Sequence, residues 1–241
     1  MIGRGLPKMG HEGPFSRVQF HPDRLDQPLR WKKPRRIFVC SMGDLWHRDV
    51  EPIHRALIFD RIRKCPQHTF MLLTKRAKEM FEDVTDNSMI YSFFPLPNVI
   101  GMVTAENQEM ADERIPYLLK TPFSRRGVSI EPYLSAVDIG LFLPPSKKSI
   151  CICDRKKNNY TADNPYCKWP HGKDFLDWVI CGGEAGAGAR FLHPHWVENL
   201  RDQCTEAGVP FFFKGWGTKF MKKSDPGYMM IDGREWKEFP K

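Results

Sequence analysis

The stretch that decides the fold runs Asp177-Trp178-Val179-Ile180-Cys181-Gly182-Gly183-Glu184, Ala185-Gly186-Ala187-Gly188-Ala189-Arg190, His193-Pro194-His195-Trp196 and, after a helical segment, Gly208-Val209-Pro210-Phe211-Phe212-Phe213-Lys214. Trp178 to Cys181 is an unbroken apolar run of the kind a strand buried on both faces needs. The glycines and alanines that follow let backbone amides approach a ligand, and Arg190 adds a planar cation suited to an anion. The same loop also reads as a plain glycine-rich turn with solvated charges. Pro194 fits the first turn of a helix whose Trp196, Val197, Leu200 and Cys204 fall on one face, and Gly208 ends it. Strand, helix and strand predict a βαβ unit with parallel strands. Glu184 and Lys214 then stand at carboxyl strand ends, where parallel α/β folds place their ligands.

The rhythm extends backwards. Ile37 to Cys40 reads as the first strand and leads to Asp44, and Pro52 opens a helix to about Lys64 with Ile53, Leu57, Ile58 and Ile62 expected inward. Thr69 to Leu73 delivers Thr74, Lys75 and Arg76, and a short helix follows. Asn98 to Val103 delivers Glu106 and Asn107, with a helix from Gln108 that Pro116 is expected to interrupt or restart. Val128 to Ile130 delivers Glu131. Six short strands alternating with helices predict an α/β fold with a parallel sheet curved into a partial (β/α) barrel, TIM-barrel-like, with an open doubly wound sheet as the alternative. Asp44, Lys75, Glu106, Asn107, Glu131, Gly182, Gly183, Glu184, Arg190 and Lys214 form the candidate ligand set. Four acids and two lysines on one rim are costly unless they pair or meet a ligand. No catalytic base is singled out.

The chain of 241 residues is expected to form a single domain, and it has no apolar run long enough to span a membrane and no signal-peptide pattern at its start, so a cytoplasmic location is expected. Its net charge of +8 favours anionic partners such as nucleic acid or nucleotides. The densest basic cluster, Arg30-Trp31-Lys32-Lys33-Pro34-Arg35-Arg36, suits a phosphate backbone with Trp31 stacking on a base, or else a solvated lead into the first strand. Seven cysteines, several inside apolar patterns, argue against a secreted disulfide framework. Between the fourth and fifth strands, residues 144–174 form an insertion in which Cys151, Cys153, Cys167 and His171 either hold a structural Zn²⁺ or are incidental to a loop.

Trp31 to His47, Leu73-Thr74-Lys75-Arg76, Glu106-Asn107-Gln108, Ser129-Ile130-Glu131-Pro132, Gly182-Gly183-Glu184 and Phe212 to Gly217 together resemble a phage and prophage protein family labelled by gene products thirty-seven and sixty-eight. That family looks like a radical S-adenosylmethionine barrel, and the resemblance covers about Val18 to Gly217 outside the insertion. It implies a [4Fe-4S] cluster and S-adenosylmethionine, with rim acids and amides holding the methionine and ribose groups, and action on nucleic acid or a nucleotide. The family's cysteine triad lies upstream of the matching tract, whereas no cysteine precedes Cys40 here. The chain as written is therefore expected to lack the first strand and the cluster loop, by truncation, internal start or loss. Ala185, Ala187 and Gly215 also depart from the residues the family more often carries there. A non-catalytic nucleic-acid-binding module and a zinc-stabilised interaction protein are the competing functions.

Overall fold

A computed structural model describes residues 18–145 and 175–240. In chain order its elements are α1 (Pro22–Leu25), β1 (Arg36–Val39), α2 (Pro52–Arg63), β2 (Thr69–Thr74), α3 (Ala77–Asp86), α4 (Ser88–Tyr91), β3 (Val99–Thr104), α5 (Gln108–Lys120), β4 (Arg125–Ile130), β5 (Trp178–Cys181), α6 (Pro194–Ala207), β6 (Phe211–Phe213), β7 (Met230–Ile231) and β8 (Arg234–Glu235). The first six strands pair in sequence order, every pair parallel, in one sheet that curls into a half-barrel with the helices between strands. The open doubly wound alternative is thereby set aside, because no strand is out of sequence order.

Side chains alternate across a strand, so the register sorts the sheet into two faces. Phe70, Leu72, Val99, Val103, Val128, Ile130, Val179, Cys181, Phe211 and Phe213 join the core that the helices cover. The opposite, concave face carries a second cluster of Ile100, Met102 and Trp178, against which Met71, Leu73, Ile180, Phe212 and Phe239 pack. The strands are apolar on both faces for this reason, and the continuous runs in the sequence report it.

Three local readings are corrected. On α2 the buried residues are Arg55, Ala56, Phe59 and Ile62, while Ile53 is exposed. The helix turns this face inward because Arg55 donates to Val50 O (2.6 Å) and Asp83 Oδ1 (3.0 Å), satisfying a buried cation. Pro116 does not break α5, which is continuous from Gln108 to Lys120. Burial of Ala111, Ile115, Leu118 and Leu119 on one face outweighs the lost backbone bond. β4 is longer than the apolar pattern suggested, since Arg125 and Arg126 extend it towards its amino end.

The C-terminal segment closes the amino end of the half-barrel. It runs antiparallel along the outer edge of β6, with Phe213 N donating to Trp236 O (2.8 Å) and Glu238 N to Phe211 O (3.1 Å). Phe239 then turns onto the concave face, with ring centroids 5.3 Å from Trp178 and 5.2 Å from Phe212. Arg36, on β1 at the far side of the sheet, places its guanidinium 3.5 Å from the Phe239 ring centre. Trp178 Nε1 donates to Glu238 O at 2.9 Å. The segment thus covers one sheet edge and links it to the other. The open edge of β1 has no strand partner among the described residues.

Candidate binding site at the carboxyl rim

Continuing the alternation past each strand puts Lys75, Glu106, Glu131, Gly182 and Lys214 on the concave face, in phase with Leu73, Thr104, Ser129, Ile180 and Phe212. The last hydrogen bonds of the sheet hold this phase, with Gly182 N on Ile130 O (3.2 Å) and Lys214 N on Cys181 O (2.8 Å). Lys214 Nζ donates to Glu131 Oε2 at 2.7 Å, reaching from β6 to β4 across β5. Gly182 makes that crossing feasible. A Cβ there would lie 3.1 Å from Lys214 Cβ and 3.4 Å from Glu131 Oε1. Gly183 has a different duty, because its Cβ would lie 2.2 Å from Trp216 O, so only glycine lets the two backbones meet.

On the neighbouring strands Lys75 Nζ bonds Glu106 Oε1, while Arg114, from α5, donates to Glu106 Oε2 (2.9 Å) and Thr104 O (2.8 Å). Burial pushes the Glu106 carboxyl up, but the Lys75 hydrogen bond and the Arg114 charge outweigh it and hold it below the usual carboxylate range. Beneath the two ion pairs, Thr104 and Ser129 are buried cross-strand neighbours. Around the rim the order of charge is Lys75, Glu106, Glu131, Lys214: two carboxylates on adjacent strands with a cation on either flank.

Other predicted site residues do structural work. Asp44 accepts from Trp46 N (3.0 Å), Thr74 Oγ1 (2.8 Å), Lys75 N (3.2 Å) and Arg76 Nη1 (3.0 Å), which ties the β1 loop to the end of β2. Asn107 caps α5 by accepting from Met110 N at 2.9 Å. Arg190 makes a two-pronged pair with Glu184, Nε to Oε2 at 2.8 Å and Nη2 to Oε1 at 2.9 Å, and its own amide bonds the same carboxylate. That pairing lowers the Glu184 carboxyl to about 2. Gly186 N is engaged by Thr218 Oγ1 and Ala189 N by Gly186 O, so these loop amides and the Arg190 cation are turned inward onto the protein.

The basic cluster lies at the other end of the sheet, before β1. Arg35 stacks its guanidinium 4.4 Å from the Trp31 ring centre, and Trp31 meets His68 edge-on at 6.0 Å. His68 is buried, accepts from Arg35 N at Nδ1 (3.2 Å) and has Nε2 3.0 Å from Pro28 O. Trp31 is thus a packing residue, Arg36 lies over Phe239, and Arg30, Lys32 and Lys33 have no acidic partner among the described residues.

Sequence reading missed Arg114 and a cavity of about 400 Å³ lined by Trp46, His47, Arg48, Arg76 and Glu79. An arginine in mid-helix carries no signal of what it reaches, and the cavity joins residues of two loops about one βαβ unit apart. Cys151, Cys153, Cys167 and His171 lie outside the described residues. Among those described, Cys65, Cys181 and Cys204 are buried thiols pushed up by desolvation, Cys40 is exposed, and no group of three or more His, Cys, Asp or Glu is placed to hold a metal. The described residues therefore do not fit a [4Fe-4S] cluster, which needs converging thiolates.

A half-barrel with charged side chains converging at its carboxyl ends belongs to the class of parallel α/β ligand-binding folds. A sequence profile described as "Protein of unknown function (DUF5131)" matches residues 4–240, and the chain belongs to that family. No curated protein and no solved structure matches it. Among the described residues no helix is long and apolar enough to cross a membrane.

Proposed function

We propose that the concave carboxyl rim binds S-adenosylmethionine or a close analogue, and that the protein is a radical S-adenosylmethionine-like member of the phage and prophage family it resembles, acting on nucleic acid or a nucleotide. The observation that carries this is the placement of Lys75, Glu106, Glu131 and Lys214 on one face, with Gly182 left bare between them. A zwitterionic amino-acid group needs an acid for its ammonium and a cation for its carboxylate, and each rim pair offers both. Glu131 and Lys214 are the better exposed pair, with side chains 28% and 50% accessible, and can exchange their mutual bond for ligand bonds at little cost. Glu106 is held from behind by Arg114, so it keeps its orientation when Lys75 swings to a ligand. Thr104 and Ser129 supply hydroxyls below. When bound, S-adenosylmethionine supplies an electrophilic sulfonium. Cluster chemistry has no place among the described residues.

The unpartnered Arg30, Lys32 and Lys33 support nucleic acid as the anionic partner, through contacts that weaken as salt rises. Calorimetric titration of the whole chain with S-adenosylmethionine tests the rim. Binding is expected, weakened at least about tenfold by Glu131→Gln or Lys214→Met. Absence of binding at millimolar ligand, or variants that bind like the parent, overturns the reading.

A further inference from the structure

The rim does not use the cavity beside it. We propose that the pocket of Trp46, His47, Arg48, Arg76 and Glu79 is a phosphate-binding subsite for a nucleotide or nucleic-acid ligand, on the helix side of the β1 and β2 carboxyl ends. It rests on the rim reading only in treating that ligand as the substrate.

The walls are set by neighbours that leave the right groups over. Trp46 is buried, its indole N–H fixed on Asp83 Oδ2 (3.2 Å) and its amide on Asp44 Oδ1 (3.0 Å), which gives a rigid flat wall. His47 Nδ1 accepts from Asp49 N at 3.2 Å, so in the neutral ring the proton sits on Nε2, a donor free of that bond. Arg76 spends one N–H on Asp44 Oδ2 at 3.0 Å and is oriented by it, leaving the rest of its fork. Arg48 is 90% accessible and its nearest carboxylate, Asp49, is 3.7 Å away, too long for a hydrogen bond. Two arginines and a neutral donor against one carboxylate, Glu79, leave the pocket net positive. Arg76 and Glu79 enter it from the first turn of α3, which no side chain caps, so the helix dipole adds to the field. A volume of about 400 Å³ lies within the range of small-molecule sites, roughly 300–1,000 Å³.

Lys75 and Arg76 are adjacent and point to opposite faces, with Asp44 holding the backbone of one and the side chain of the other. A nucleotide whose phosphate sits on Arg76 therefore reaches the concave rim only over this crest. That geometry suits a ligand approaching from outside rather than a cofactor wholly inside the barrel.

The test is calorimetry of the whole chain with uridine 5′-monophosphate against uridine, on the parent, Arg48→Ala, Glu79→Gln and Lys214→Met. The phosphate form is expected to bind at least about tenfold more tightly than the nucleoside, with Arg48→Ala removing most of that difference, in line with a charge-assisted bond. Glu79→Gln is expected to tighten it and Lys214→Met to leave it within about twofold. Equal binding of the two ligands, or indifference to Arg48→Ala, overturns the subsite. Displacement of the nucleotide by an oligonucleotide with hydroxyl ends assigns the site to chain phosphates. Displacement by inorganic phosphate but not by that oligonucleotide assigns it to free nucleotides. If S-adenosylmethionine fails to bind while the nucleotide still depends on Arg48, the rim reading alone falls.

Discussion

At the amino end of the concave face, Trp178, Phe212 and Phe239 pack ring against ring under the Arg36 guanidinium. At the carboxyl end, two residues further along the same strands, the positions of Phe212 and Ile180 give way to Lys214 and Gly182. One end is filled by the chain's own C-terminal segment, while the other presents charges held apart by a glycine. The difference shows how a single sheet face divides its duties: the filled end supplies stability, and the charged end is left for a ligand. It also separates the basic cluster, which lies beyond the filled end, from the rim.

The comparison breaks most sharply at Gly183. Gly183→Ala sets a methyl against the Trp216 carbonyl, and the backbones must part, so unfolding by urea is expected to show a loss of about 3 kcal/mol. Phe239→Ala opens the filled end without touching the rim. It is expected to cost about 2 kcal/mol through lost apolar and ring contacts while S-adenosylmethionine affinity stays within about twofold. A large loss of affinity in that variant would join the two ends that the account keeps separate. Gly182→Ala presses on Lys214 and Glu131, with an expected loss of about 1 kcal/mol and a clear loss of binding.

Smallest in stability is Lys214→Met, below about 1 kcal/mol because the pair is partly solvated. A thermal shift near zero together with weakened ligand binding is the expected signature. The Glu184 and Arg190 pair sharpens the picture by pH. The folded carboxyl, lowered from 4.5 to about 2, contributes stability that is fully present above about pH 4.5 and is lost as the pH falls through about 2. An NMR titration of the Glu184 carboxyl carbon checks this, and a midpoint near 4.5 would show that the pair does not persist in solution.

The strands and their order were legible because parallel strands covered on both faces write unbroken apolar runs, and the rim because each run ends in a polar residue. The duties of the rim residues were not legible. Asp44, Glu184 and Arg190 read as ligand groups, yet Asp44 ties two loops together and the other two satisfy each other, partnerships set by loop geometry and by residues a unit away. Ile53 read as core on α2, but the buried Arg55 needed Asp83, and such long-range pairing leaves no local trace. The C-terminal segment, Arg234 to Phe239, shows no strong period. Its role comes from where β6 and Trp178 leave an edge and a gap. Trp31 read as a stacking platform and is instead stacked upon by Arg35.

The most direct measurement of the central claim is a methyl spectrum of the whole chain labelled at methionine, recorded while S-adenosylmethionine is added. Met102 lies on the concave face one alternation below Thr104, with its methyl against Gly127, whereas Met80 is buried under the helices. The account predicts that the Met102 signal moves in step with binding and that Met80 stays still. Movement at Met80 with Met102 unchanged, or a spectrum indifferent to the ligand, would contradict it.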